Sequence, residues 1–165
     1  MTRLAFLIAL TALAILPASA AAKPAVCNPT VIQDALLASG KLTEEAIGFG
    51  QKVDLVRCHD VTNDDKIDAV FTVASGGTAG DTHFGVIEGG ADGAGEVALY
   101  KSAYKVGVAR HDSRSFDVLQ PVYGASDPNC CPSSYRQTRF TWTGSRFKAG
   151  KAKKLRSAPA RFYRA

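Results

Sequence analysis

From Lys52 onward the chain is punctuated at short intervals, and that rhythm limits what it can fold into more than any other feature. The runs "KVDLVRC", "DAVFTVAS", "THFGVIEG", "GEVALYKS", "YKVGVAR", "SFDVLQPVYG", "YRQTRFTWT" and "SRFKAG" follow one another. Clusters of Gly, Asn, Asp or Pro separate several of them, as in "GGTAGD", "GGADGAG" and "ASDPNCCPSS". Short β-branched and aromatic runs bounded this way read as strands. Their connections are too short for crossover helices, so consecutive strands must pair antiparallel. "TWTGSRF" reads as a tight hairpin around Gly144. Ahead of the strands, "NPTVIQDALLASG" reads as one helix, with Asn28 as N-cap, Pro29 in the first turn and Gly40 as the stop. "TEEAIGF" reads as a second, short helical turn weakened by Gly48 and Gly50. The expected fold class is α+β: the N-terminal helix packs on one face of a curved antiparallel meander of about seven strands, with a β-sandwich as the alternative.

The ends of the chain are set apart by composition. Arg3 precedes the apolar run Leu4–Leu16, and "PASA" closes it with small residues, which reads as a signal peptide over residues 1–20. That run is shorter than the ~20 residues a transmembrane helix needs, so no transmembrane segment is expected after cleavage. The expected location is secreted, periplasmic or at the cell envelope. Residues 21–150 are expected to form a single α+β domain. Seven of the basic residues lie in Lys148–Ala165, which contains no acid. Residues 151–165 therefore read as a basic tail on a mildly acidic body, expected to be a solubilising and partly disordered end. No aromatic interleaving or nucleic-acid motif accompanies the lysines, so no specific nucleic-acid partner is expected.

There are four cysteines, Cys27, Cys58, Cys130 and Cys131. An even number in an exported chain reads as two disulfides. A bridge between the neighbours Cys130 and Cys131 closes a small strained ring. The expectation is therefore that each reaches a different partner, one to Cys27 and one to Cys58. Zinc is set aside, because neither a Cys-x-x-Cys nor a His-x-x-x-His spacing occurs.

The segment "HDVTNDDKID" is the strongest candidate site. Oxygen-bearing residues fall at alternate positions: Asp60, Thr62, Asp64 and Asp68, with the Lys66 backbone carbonyl between the last two. Calcium takes about six to eight hard oxygens, and alternate residues of a tight loop can point inward together to supply them. "DVTNDDKIDAVFTV" resembles the strand–loop–strand calcium units of FG-GAP and VCBS repeats. That resemblance implies that Asp60, Thr62, Asp64 and Asp68 are ligands of one Ca2+. Asn63 and Asp65 stand where those units usually carry glycine, and both residue types tolerate the left-handed region. A single copy implies no propeller. The wider stretch from Val53 to about Phe147, carried by "DLVRCHDVTNDDKIDAVFTVASGGTAGD" and "PVYGASDPNCCPSSYRQTRFTWTGSRF", resembles the LppP/LprE-type family of small exported actinobacterial proteins. Many members of that family carry a lipobox, and this chain does not.

Other candidates are weaker. His111, Asp112 and Ser113 or Ser115 assemble a triad on paper, but strand neighbours point to opposite faces. His59, His83 and His111 read as surface or turn residues. "SGGTAGDTHFG" lacks the Gly-Lys-Ser/Thr ending of a phosphate loop. The expected function is a non-enzymatic binding or structural module of the cell envelope or exterior, a monomer whose partner is an unknown protein or an envelope polymer. An envelope hydrolase and a secreted inhibitor or effector are the alternatives.

Overall fold

A computed structural model describes residues 23–91 and 93–163. The signal peptide read over residues 1–20 lies outside the described residues. A 3-10 turn at Ala25–Cys27 leads into helix α1, Pro29–Ala38. Asn28 caps it by accepting the Thr30 N–H, and Pro29 occupies its first turn. At the other end Gly40 has φ +65°, the Gly40 N–H donates to the Leu37 carbonyl, and the Lys41 N–H donates to the Leu36 carbonyl. These are the paired bonds of a Schellman stop, as the glycine implied. Helix α2, Glu44–Gly48, is capped by the Thr43 hydroxyl.

Among the described residues, eleven strands follow. The first sheet holds β1 (Lys52–His59), β2 (Asp68–Ala74), β3 (Asp81–Ile87) and β6 (Leu99–Ser102), in that order. The glycine-rich β4 (Gly89–Gly90) and β5 (Gly93–Ala94) form a two-residue hairpin of their own. The second sheet runs β7 (Gly107–Asp112), β8 (Ser115–Val122), β9 (Ser134–Trp142) and β10 (Phe147–Ala149), with β11 (Lys153–Leu155) paired to the other half of β9. All pairings are antiparallel, so the fold is α+β as expected. The three strands beyond the expected runs are β4, β5 and β11, which carry no β-branched or aromatic signal. The β9–β10 hairpin turns at Gly144, φ +94°.

The meander divides into two sheets rather than forming one curved layer. The cause lies in β2, whose first six residues are all buried. Ala69, Phe71 and Val73 pack with Ile32 and Leu36 of α1. Val70 points the other way, into a cluster with Phe84, Val86, Val108, Phe116, Val118 and Phe140 between the sheets. A strand apolar on both faces needs cover on both, and helix and second sheet supply it.

The basic tail departs from the disordered end that its composition suggested. Past β11 a 3-10 turn at Ala160–Phe162 lays Phe162, fully buried, over Ala109 and Leu119 on the outer face of the second sheet. Gly107 permits this approach, since a Cβ there would stand 2.7 Å from the Phe162 carbonyl oxygen. Arg57 of β1 donates to the Arg161 carbonyl at 2.9 Å. The cations are outward and the apolar residues inward, so net charge concealed a strand and a plug.

Both disulfides form, but not in the expected connectivity. Cys27 bridges Cys58, and Cys130 bridges its neighbour Cys131. Cys27 and Cys58 both lie on the helix-facing side of the first sheet. The "DPNCC" turn joins β8 to β9 in the second sheet. The two pairs thus belong to different sheets, and each cysteine bridges the one beside it, with Cys27 and Cys58 5.9 Å apart at Cα. Among the described residues, no helix is long and apolar enough to cross a membrane.

Candidate metal centre

The β1–β2 connection, residues 60–67, wraps around two carboxylates. Asp60 accepts the backbone N–H groups of Asp64 at 3.2 Å and Asp65 at 3.1 Å. To turn that tightly, Asn63 and Asp65 take φ +57° and +65°. These are the two positions where the resembling calcium units use glycine, and a short polar side chain meets the demand. Asp68 opens β2 and is fully buried. Its Oδ2 accepts the N–H groups of Val61 and Thr62 and the Thr62 hydroxyl, each at 2.9 Å. Its Oδ1 accepts the Gly89 N–H at 3.0 Å, tying the loop to the β4–β5 hairpin.

Asp60, Asp64 and Asp68 each place a carboxylate oxygen within 4.8 Å of the others. Oxygens across a calcium ion stand about 5 Å apart, twice the ~2.3–2.6 Å bond length, so the three fit around one hard cation. Thr62 joins them, its hydroxyl 3.3 Å from Asp64 Oδ1. Lys66 meets Asp64 in two ways: its N–H donates to Oδ1 at 3.1 Å, and its ammonium lies 3.4 Å from Oδ2. Burial alone would raise the Asp64 carboxyl, but the hydrogen bonds and charge of Lys66 together with the Thr62 hydroxyl outweigh it and hold the group below its ordinary range.

Glu88 was not visible as part of this site in the sequence. It lines a depression of about 300 Å³ with Thr62, Asn63, Asp64, Arg114 and Trp142. Burial, with the charges of Asp68, Glu96 and Asp64, pushes its carboxyl up, opposed by Lys66. The signal for it is tertiary: β3 pairs with β2 and ends one residue before it, beside the loop.

His59 is buried, not a surface or turn residue. Only 3% of it is exposed, and among the described residues neither ring nitrogen has a hydrogen-bond partner. Burial, then the Arg110 charge, push its imidazole down, against the opposing carboxylates of Asp68, Asp60 and Asp112. An orphaned buried polar ring costs stability, so His59→Leu is expected to stabilise the fold by about 1 kcal/mol at pH 8. The folded imidazole stays neutral while the unfolded one takes up a proton, so the native chain loses stability as pH falls below 6.5. The margin of the Leu variant should therefore widen from pH 8 to pH 5.5 in urea titrations. A variant less stable than the native chain at both pH values would refute this account of His59.

The other histidines form no nucleophilic arrangement. His83 stacks on Tyr100 with ring centroids 5.1 Å apart. The Ser115 hydroxyl donates to Asp112 Oδ1 at 2.8 Å, not to an imidazole. His111 Nδ1 lies 2.9 Å from Arg139 Nη2, so it must be an acceptor, and the 3.7 Å approach of Asp117 to that atom is not a hydrogen bond. Asp117, buried on the outer face, is neutralised by Arg139 at 2.9 Å and Arg161 at 3.5 Å. That arrangement holds β8, β9 and the tail together.

The "DPNCC" turn is a second built element. Asp127 accepts from the Gly124 N–H, the Ser133 N–H and the Ser133 hydroxyl. Asn129 receives the Tyr104 hydroxyl and the Lys105 ammonium on its side-chain oxygen, and the Tyr123 hydroxyl and Lys105 on its carbonyl. No family model, curated protein sequence or solved structure matches the chain. The molecule is a disulfide-bonded small β protein with an acidic group able to hold a metal ion.

Proposed function

We propose that this chain is an exported, non-enzymatic binding or structural module of the envelope or exterior whose 60–68 loop takes one structural Ca2+. The observation that carries the calcium reading is the convergence of Asp60, Asp64 and Asp68 within 4.8 Å in a loop whose Asn63 and Asp65 are left-handed. Thr62 and the Lys66 carbonyl complete the ligand set. Hard oxygens without sulfur or imidazole favour Ca2+ over zinc or copper. Paired cysteines support export, as does the resemblance to small exported actinobacterial proteins.

Calcium bound only to the folded loop stabilises by mass action, about 2.7 kcal/mol at a hundredfold excess over Kd. EDTA is expected to lower the melting temperature by about 5 °C or more, and Ca2+ to restore it. Asp64→Ala should abolish the difference between the calcium and EDTA melts. Identical melts of the native chain in both conditions would remove calcium from this reading.

A further inference from the structure

A cavity of about 540 Å³ opens at the end of the sandwich opposite the acidic loop. The first sheet gives it two carboxylates, Asp54 of β1 and Asp81 at the start of β3. The second sheet and the tail give it three phenols, Tyr123, Tyr135 and Tyr163. Lys105 lies on its wall and Cys130 at the turn that rims it. The size is that of a small-molecule site.

The charges here are not matched to each other. Asp117 elsewhere has two arginines, yet neither Asp54 nor Asp81 has an ion pair among the described residues. Asp81 is bonded by the Thr72 hydroxyl and lies beside the Asp54 carboxyl. Burial, helped by Asp54 and opposed by Thr72, pushes its carboxyl up. Lys105 packs its stem 3.3 Å from the position of a Gly80 Cβ, next door to Asp81, but its ammonium turns away. Among the described residues it reaches only neutral acceptors: the Asn129 carbonyl at 2.6 Å, the Asn129 side-chain oxygen at 3.0 Å and the Tyr123 hydroxyl at 3.2 Å. Tyr104 and Tyr123 present ring faces to it. Lys105 is held there with φ +47°, a strained angle for a lysine. Burial, with Tyr135, Asp81 and Tyr123 around it, pushes the Tyr163 phenol up to about 12.

Among the described residues, one cavity thus holds an acid pair without a cation and a lysine without an anion, with three tyrosines in its lining. Neither pole meets an opposite charge on the cavity wall, so a ligand that brings both opposite charges complements both. We propose that this cavity binds a small zwitterion, an ammonium and a carboxylate joined by an apolar chain. The ammonium sits against Asp54 and Asp81, the carboxylate against Lys105, and the chain lies along Tyr123, Tyr135 and Tyr163. This gives the binding-module reading its ligand class. It does not depend on the calcium loop, which shares no residue with the cavity.

The test is calorimetric titration of the full exported chain, in excess Ca2+, with ω-aminoalkanoates from glycine to 6-aminohexanoate. n-Hexylamine and hexanoate serve as single-charge controls. One member of the series should bind at least about tenfold tighter than either control, because each charge contact adds roughly 1.4 kcal/mol or more. Asp81→Asn keeps the acceptor for Thr72 and Asp54→Asn changes an exposed side chain, so both should fold. Each should weaken the zwitterion about tenfold, and Asp81→Asn should raise the melting temperature by relieving the acid pair. A purely structural carboxylate would lower it instead. Amine binding equal to that of the best zwitterion would overturn the proposal, as would no binding across the series. Since calcium is read by the EDTA melt, failure here is distinguishable from failure there.

Discussion

Asp68→Ala is expected to cost about 4 kcal/mol or more, the largest effect of any single substitution in this chain. The side chain is fully buried and takes four donors: the Val61, Thr62 and Gly89 N–H groups and the Thr62 hydroxyl. Alanine takes the acceptor from the three N–H groups and leaves the Thr62 hydroxyl only Asp64, and each unsatisfied buried donor costs ~1–3 kcal/mol. Local relaxation and water entry keep the total below a simple sum. In melting experiments the shift should be about 10 °C or more. It should persist in EDTA, because the latch operates without an ion. Asp64→Ala, at a partly exposed position, should cost little in EDTA. The pair of variants therefore separates the residue that closes the loop from one that would hold calcium. An Asp68→Ala melt within 2–3 °C of the native chain in EDTA would refute the latch.

Removal of residues 151–165 is the second large expected effect. The deletion takes away β11, Phe162 and the Arg161 contact with buried Asp117. Truncating a buried Phe to Ala typically costs ~3–5 kcal/mol, so Phe162→Ala alone should lower stability by about 3 kcal/mol. The full deletion should cost more, since it uncovers Leu119 and Ala109 as well. Gly107→Val should mimic part of the loss without touching the tail, because its side chain would collide with the Phe162 backbone. Urea titration of the three variants is the measurement. A deletion variant with the native midpoint would mean that the tail contributes nothing to the fold.

How much of this was legible beforehand depends on the range of the interaction. The cap at Asn28, the stop at Gly40 and the hairpin at Gly144 are decided within a few residues, and each formed as the sequence implied. The eight β-branched or aromatic runs became strands for the same local reason. The loop was legible too, down to Asn63 and Asp65 replacing glycines at left-handed positions. Misread were the features set by what lies across a layer. His59 carries the surface signature of its acidic neighbours, yet its strand position turns it inward. Ring strain in the sequence argues for crossed cysteine pairs, whereas the placement of the two pairs on different sheets sets their partners. The charge of the tail is what its sequence shows, although its apolar residues are the ones that dock.

The amino-acid order by itself therefore determined the elements, their antiparallel succession and the inward-pointing oxygens of residues 60–68, because turn chemistry and alternation act over a few bonds. Only the tertiary structure decided that the meander splits into two sheets, that the tail seals the outer one, and that Asp54, Asp81, Lys105 and three tyrosines share a cavity. Those outcomes follow from covering apolar surface on both faces of β2 and β8, a requirement no short window of sequence contains.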